Sequence, residues 1–266
     1  MTNRLEERIH ILRGERRAGL AAYLVAGAPD MDATLQAMET LVASGVSLLE
    51  IGMPFSDPVA DGPVIAAAHA VALRGGASLR GTLELVDRFR ALDRATPVVL
   101  MGYVNPVLSM GLDAFFTEAA QAGVDAAILV DLPLEHSDAW RLAARAQGVA
   151  LVPLLAPTTT PDRERRILSS TGDLVYLVAR TGVTGAAEAD VDAVRERSAR
   201  VRAYSDVPIA AGFGIRSADH ARALVGSVDF VVVGSLFVET LARGGKGALP
   251  ELGRIARELR AVLEEA

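Results

Sequence analysis

Ser47-Leu48-Leu49-Glu50-Ile51-Gly52-Met53-Pro54-Phe55-Ser56-Asp57-Pro58-Val59-Ala60-Asp61-Gly62-Pro63 is the stretch on which the reading of the whole chain turns. Ser47 to Ile51 is an apolar run of strand length without the alternation of a half-exposed strand, as expected for a parallel strand covered on both faces. Gly52 to Pro63 is too long and too punctuated by glycine and proline for a minimal strand-to-helix connection, and long ordered loops usually hold function. Glu50 lies inside the strand, where an ionised carboxylate is costly unless paired or hydrogen-bonded. It reads as a functional carboxylate or as half of a buried ion pair.

Outward from this unit, short β-branched runs alternate with helical patterns from end to end, the sign of repeated βα units. Eight runs qualify: Leu20 to Ala26, Ser47 to Ile51, Pro97 to Met101, Ala126 to Val130, Ala150 to Leu154, Leu174 to Ala179, Pro208 to Ala211 and Phe230 to Val233. Helix caps are expected at Asp30, Ser78, Ser137, Thr160 and Ser217. Eight strands in a chain of 266 residues fit a single (β/α)8 TIM barrel, residues 1–266, with an extra N-terminal helix from about Arg4 to Arg13 over its floor. An open doubly wound sheet would usually divide into halves, and no linker or composition break occurs.

Composition narrows the chemistry. With 27 basic against 33 acidic side chains the net charge is −6, which argues against a polyanionic partner such as nucleic acid. The absence of cysteine removes disulfides, thiolate metal sites and thiol nucleophiles. Lys246, the only lysine, lies among glycines and is a poor candidate for a buried Schiff base. The histidines His10, His69, His136 and His220 show no metal-ligand spacing, so no metal site is expected. The charged N-terminus lacks a signal-peptide core, and no apolar run approaches the roughly 18 residues of a membrane span. A cytoplasmic protein without membrane contact is expected. Carboxylates, hydroxyls, tyrosines and backbone amides are left for catalysis.

In a barrel these groups act from loops at the carboxyl ends of the strands. Glu50, with Asp57 and Asp61 in the following loop, places three carboxylates above one strand, although either aspartate alone reads equally well as a turn cap. Desolvation is expected to raise the Glu50 pKa so that it gives and takes a proton near neutrality. Gly212-Phe213-Gly214 and Gly234-Ser235 follow the last two strands, where freed amides at a helix N-terminus hold phosphate. Arg180-Thr181-Gly182-Val183-Thr184-Gly185 has the make-up of a hinged lid. Tyr103 and Asp131-Leu132-Pro133 are placed to line a pocket. Tyr23 and Tyr176 read equally as core or ligand contacts, and Trp140 as packing.

Together these motifs resemble the tryptophan synthase α-subunit family, over about Leu20 to Val238 and most specifically in Leu49 to Pro63. The resemblance implies a lyase that cleaves indole-3-glycerol phosphate to indole and glyceraldehyde 3-phosphate by acid/base catalysis. It implies Glu50 and Asp61 as catalytic residues, with Asp61 partnering the indole N–H. Phosphate is implied at Gly185, Phe213, Gly214, Gly234 and Ser235, and indole near Tyr23, Met101, Tyr103, Ile128 and Tyr176. The lid would comprise Arg180, Gly182 and Thr184. Pro54, Asp57 and Pro58 would face a β-subunit in an α2β2 complex, with pyridoxal phosphate in that partner and no cofactor in this chain.

Four positions depart from the pattern. Val25 and Gly102 stand where threonine is common, Ala66 where glutamine usually follows the isoleucine, and Ala179 where serine is common. Each change removes a hydrogen-bonding group near the pocket mouth or a loop base. A stand-alone lyase and a catalytically impaired activating subunit are the alternatives, the second disfavoured by the presence of both carboxylates.

Overall fold

The computed structural model describes residues 3–178, 191–212, 214–245 and 247–265. In chain order the elements are α1 (Arg4–Gly14), β1 (Gly19–Val25), α2 (Met31–Ala43), β2 (Leu48–Gly52), α3 (Pro63–Arg74), α4 (Leu79–Arg90) and β3 (Val98–Gly102). There follow α5 (Val104–Met110), α6 (Leu112–Ala122), β4 (Ala126–Leu129), a 3-10 turn (Leu134–His136), α7 (Asp138–Ala146), β5 (Ala150–Leu151) and β6 (Leu154–Leu155). The remainder are α8 (Pro161–Leu168), β7 (Val175–Val178), α9 (Val191–Arg202), β8 (Ile209–Gly212), α10 (Ala218–Arg222), β9 (Phe230–Val233), α11 (Ser235–Ala242) and α12 (Ala248–Glu264).

All strand pairings are parallel, and the sheet runs β5-β4-β3-β2-β1-β9-β8-β7-β6. Its two ends, β5 and β6, are consecutive in the chain, so the sheet curls round to meet itself as a TIM-barrel-like α/β fold. The fifth expected strand is divided at Val152-Pro153. Val152 N–H still donates to Ala127 O at 2.9 Å, and Pro153 O accepts from Tyr176 N–H at 3.0 Å, but proline has no donor to continue the ladder. The same property shifts two strand starts by one residue. Pro97 O accepts from Leu49 N–H and Pro208 O from Val175 N–H, yet regular pairing begins at Val98 and Ile209. Ala179, expected to end the sixth run, lies outside the described residues.

Strand alternation sorts side chains into two cores. Leu20, Ala22, Leu24, Leu49 and Ile51 pack outward against the helices. Ala21, Tyr23, Val25, Leu48, Val99, Ile128, Tyr176 and Phe230 fill the interior. Glu50, two residues after Leu48, shares its inward face. Leu5, Ile9 and Leu12 of α1 join the same interior cluster. Arg4 pairs with Asp125 at 2.8 Å and Arg13 with Asp229 at 2.7 Å, both aspartates lying immediately before strands. The leading helix therefore closes the floor, as its sequence predicts.

Asp30, Ser78 and Ser217 cap α2, α4 and α10 through bonds from Ala33, Gly81 and His220 N–H. Ser137 and Thr160 occupy cap positions without a side-chain cap bond. The Ser137 hydroxyl instead donates to Leu134 O at 2.8 Å, closing the 3-10 turn before α7. Two connections hold helix pairs, α3 with α4 and α5 with α6, so the helices outnumber the expected eight. Trp140 is buried in the outer core, as expected from packing.

Candidate active site

A cavity of about 620 Å³ opens at the carboxyl ends of the strands, and Tyr23, Glu50, Asp61, Met101, Tyr176, Gly214, Gly234 and Ser235 all contribute to its lining. β2 presents Glu50 to it. Glu50 is 1% exposed, and its Oε1 has no hydrogen-bond partner among the described residues. Burial, reinforced by the negative charge of Asp61, pushes the Glu50 pKa up to about 8. The carboxyl group is therefore mostly protonated at neutral pH and close enough to its pKa to cycle.

Asp61 reaches the cavity because the β2–α3 loop folds back on itself. Val59 N–H donates to Asp57 O at 2.8 Å and Asp61 N–H to Pro58 O at 3.0 Å. Tyr103, just after β3, holds both the loop and its carboxylate: its hydroxyl accepts from Ala60 N–H at 3.0 Å and donates to Asp61 Oδ2 at 2.8 Å. Burial and Asp61 raise the Tyr103 pKa, so the phenol remains a donor. Phe55 stacks on the Tyr103 ring at 4.9 Å between centroids.

Of the side chains expected around an indole ring, Tyr23, Met101 and Tyr176 line the cavity. Tyr103 bonds to Asp61, and Ile128 is buried in the interior cluster, 1% exposed, outside the cavity lining. Burial first, then the carboxylates Glu50 and Asp61, keeps the Tyr23 and Tyr176 phenols protonated. Asp131, Leu132 and Pro133 also line the cavity, and Asp131 accepts the Val104 N–H at the start of α5.

Gly234 precedes α11, whose N-terminus carries no side-chain cap, and Ser235 opens that helix inside the cavity. Gly214 has φ +58°, a left-handed conformation that favours glycine. These positions suit an anion held by backbone N–H groups. Gly185, Phe213 and the lid positions Arg180, Gly182 and Thr184 lie outside the described residues. In the loop toward the expected partner, Pro54 is buried, Asp57 is exposed and Pro58 is half-buried, while the neighbouring Val59 is 80% exposed.

Two features were not anticipated from the sequence. The cavity extends along residues of the β6–α8 region, including Thr158, Thr159 and Arg163, which carry no recognisable motif. His69 of α3 is buried beside the loop, with Nε2 3.6 Å from Asp61 Oδ2. The signal for it was present, since Ile65, His69 and Ala72 fall on one helix face. Among the described residues, no group of three or more His, Asp or Glu is placed to hold a metal ion, and no helix is long and apolar enough to cross a membrane.

Residues 9–264 match the sequence model of the tryptophan synthase alpha chain family. The chain belongs to the tryptophan synthase alpha chain family. It is 46% identical over 265 residues to the tryptophan synthase alpha chain of Thioalkalivibrio sulfidiphilus (strain HL-EbGR7), covering 99% of each chain. The fold is similar to a chain in a structure of Mycobacterium tuberculosis tryptophan synthase, with TM-score 0.91, 37% identity and 99% of each chain covered. It is also similar to tryptophan synthase subunit alpha from Legionella pneumophila str. Paris, with TM-score 0.90, 32% identity and complete coverage of both chains.

For a tryptophan synthase alpha chain, the glycine at 102 has a local cause. A Cβ there would stand 2.5 Å from Met53 Cε, so the Met53 side chain fills the space that a threonine would need. Val25 is 1% exposed within the interior cluster, where its methyl groups pack without a polar atom to satisfy. Ala66 is half-buried in the first turn of α3.

Proposed function

We propose that Glu50 and Asp61 carry the lyase reaction of this tryptophan synthase alpha chain, the cleavage of indole-3-glycerol phosphate to indole and glyceraldehyde 3-phosphate. The observation that supports the assignment is a buried, protonatable Glu50 and an Asp61 fixed by Tyr103 in one cavity. Protonated Glu50 delivers its proton to indole C3, and the ring nitrogen becomes positively charged. Asp61, accepting the ring N–H, stabilises that charge as it develops. The Glu50 carboxylate then takes the proton of the hydroxyl on the carbon attached to C3. The carbon–carbon bond breaks, its electron pair returns to the ring and neutralises the nitrogen, and the hydroxyl carbon becomes the aldehyde. Glu50 ends protonated, as it began.

The phosphate is held by amides at Gly214, Gly234 and Ser235, together with Gly185 and Phe213. The ring lies against Tyr23, Met101 and Tyr176. Arg180, Gly182 and Thr184 form the lid, and Pro54, Asp57 and Pro58, beside the exposed Val59, meet the β-subunit. Pyridoxal phosphate belongs to that subunit, whereas this chain works without a coenzyme, as one domain in the cytoplasm. The deciding experiment is steady-state cleavage of indole-3-glycerol phosphate by the purified chain, alone and with a β-subunit, for wild type and Glu50→Gln. Turnover that vanishes in Glu50→Gln while substrate still binds supports the assignment; near-wild-type turnover removes it.

A further inference from the structure

His69 is 1% exposed and takes no part in the steps above. Its Nδ1 accepts the Phe55 N–H at 3.4 Å. A ring nitrogen that accepts carries no proton, so the neutral imidazole bears its hydrogen on Nε2. That atom is buried, has no hydrogen-bond partner among the described residues, and stands 3.6 Å from Asp61 Oδ2. The Tyr103 hydroxyl donates to the same oxygen at 2.8 Å. Two donors are therefore arrayed on Oδ2, one bonded and one just beyond bonding distance, while neither engages Oδ1. A buried N–H left without an acceptor is costly, and a short movement of the loop toward α3 would satisfy it.

We propose that His69, as the Nε2–H tautomer, is a positioning residue that supplies Asp61 with a second donor on Oδ2 when the β2–α3 loop moves toward α3. The inference rests on the assignment of Asp61 to the ring nitrogen. With Oδ2 held by Tyr103 and, once the loop has moved, by His69 as well, rotation of the carboxylate is restricted and Oδ1 is left for the substrate N–H.

Two substitutions separate the nitrogens. His69→Asn retains an acceptor near Nδ1 and loses the donor toward Asp61, whereas His69→Gln retains a donor near Nε2. Measured on the full chain with a β-subunit, His69→Gln is expected to keep kcat within about threefold of wild type. His69→Asn is expected to lower kcat roughly tenfold to hundredfold, the range of one hydrogen bond to a charged group, with KM nearly unchanged. Adding Asp61→Asn to His69→Asn should cost no more than Asp61→Asn alone, since the two act through one group. Equal kcat in the Asn and Gln variants, or full additivity with Asp61→Asn, overturns the proposal. Near-wild-type kcat in Asp61→Asn by itself would instead remove the role of Asp61 on which it rests.

Discussion

The Tyr23 hydroxyl occupies the space where a side chain on Gly52 would begin: a Cβ there would overlap it and stand 2.8 Å from Cζ. The pair spans neighbouring strands, with Tyr23 inside β1 and Gly52 at the end of β2, two residues after Glu50. A matching arrangement joins Tyr176 of β7 to Gly212 of β8, where a Cβ would stand 2.7 Å from the ring Cζ. Each tyrosine reaches the cavity only because the adjacent strand ends in a residue without a side chain.

Gly52→Ala is therefore expected to push Tyr23 out of place and lower kcat/KM by at least about tenfold, at a stability cost of roughly 1–3 kcal/mol for overpacking. Gly52→Ala combined with Tyr23→Phe should recover part of both, because the hydroxyl overlap is gone and only the contact to the ring edge remains. A double-mutant cycle read by kinetics and thermal denaturation measures the coupling, and simple additivity would contradict it.

Glu50→Gln is expected to remove nearly all turnover, since a lone proton-transfer group contributes roughly 10²- to 10⁴-fold. Its pKa also fixes a stability signature. Folding raises the Glu50 pKa from 4.5 to about 8, so between these values the folded chain binds more protons than the unfolded one. The group's contribution is fully present below pH 4.5 and is lost as pH rises through 8. Glu50→Gln, which stays neutral, should gain stability relative to wild type across that interval, by on the order of a few kcal/mol, and the difference should level off above it. Denaturant titrations of both proteins at pH 5, 7 and 9 check the sign.

Tyr103→Phe removes the donor that holds Asp61 Oδ2 and the acceptor that holds Ala60 N–H. Turnover should fall roughly tenfold or more, the cost of losing a bond to a charged group, while thermal stability falls by only about 1 kcal/mol. Steady-state kinetics alongside calorimetry distinguishes this from general unfolding.

Ser235→Asp places a negative charge at the N-terminus of α11 inside the cavity. Repulsion of a phosphate there should raise KM at least tenfold with a smaller change in kcat. An unaltered KM would place the phosphate elsewhere.

Sequence by itself determined the repeating βα architecture, the leading helix and the two carboxylates. These depend on local pattern: apolar runs of strand length, capping residues, and an acidic side chain where only a functional or paired one is tolerated. The loop from Gly52 to Pro63 was legible for the same reason, as a long punctuated connection after a buried strand. Tertiary structure decided what depends on residues distant in the chain. Pro153, lacking a donor, divides a strand, and only the neighbouring strands, bonded through Ala127 and Tyr176, carry the sheet across the break. Tyr103 reads as a pocket residue in sequence, but its hydroxyl bonds to a carboxylate 42 positions earlier. His69 sits on an apolar helix face, and only the return of the loop brings Phe55 and Asp61 against its two nitrogens. Residue type and periodicity set which face of an element is buried; the partner across the cavity is set by packing, which no local pattern encodes.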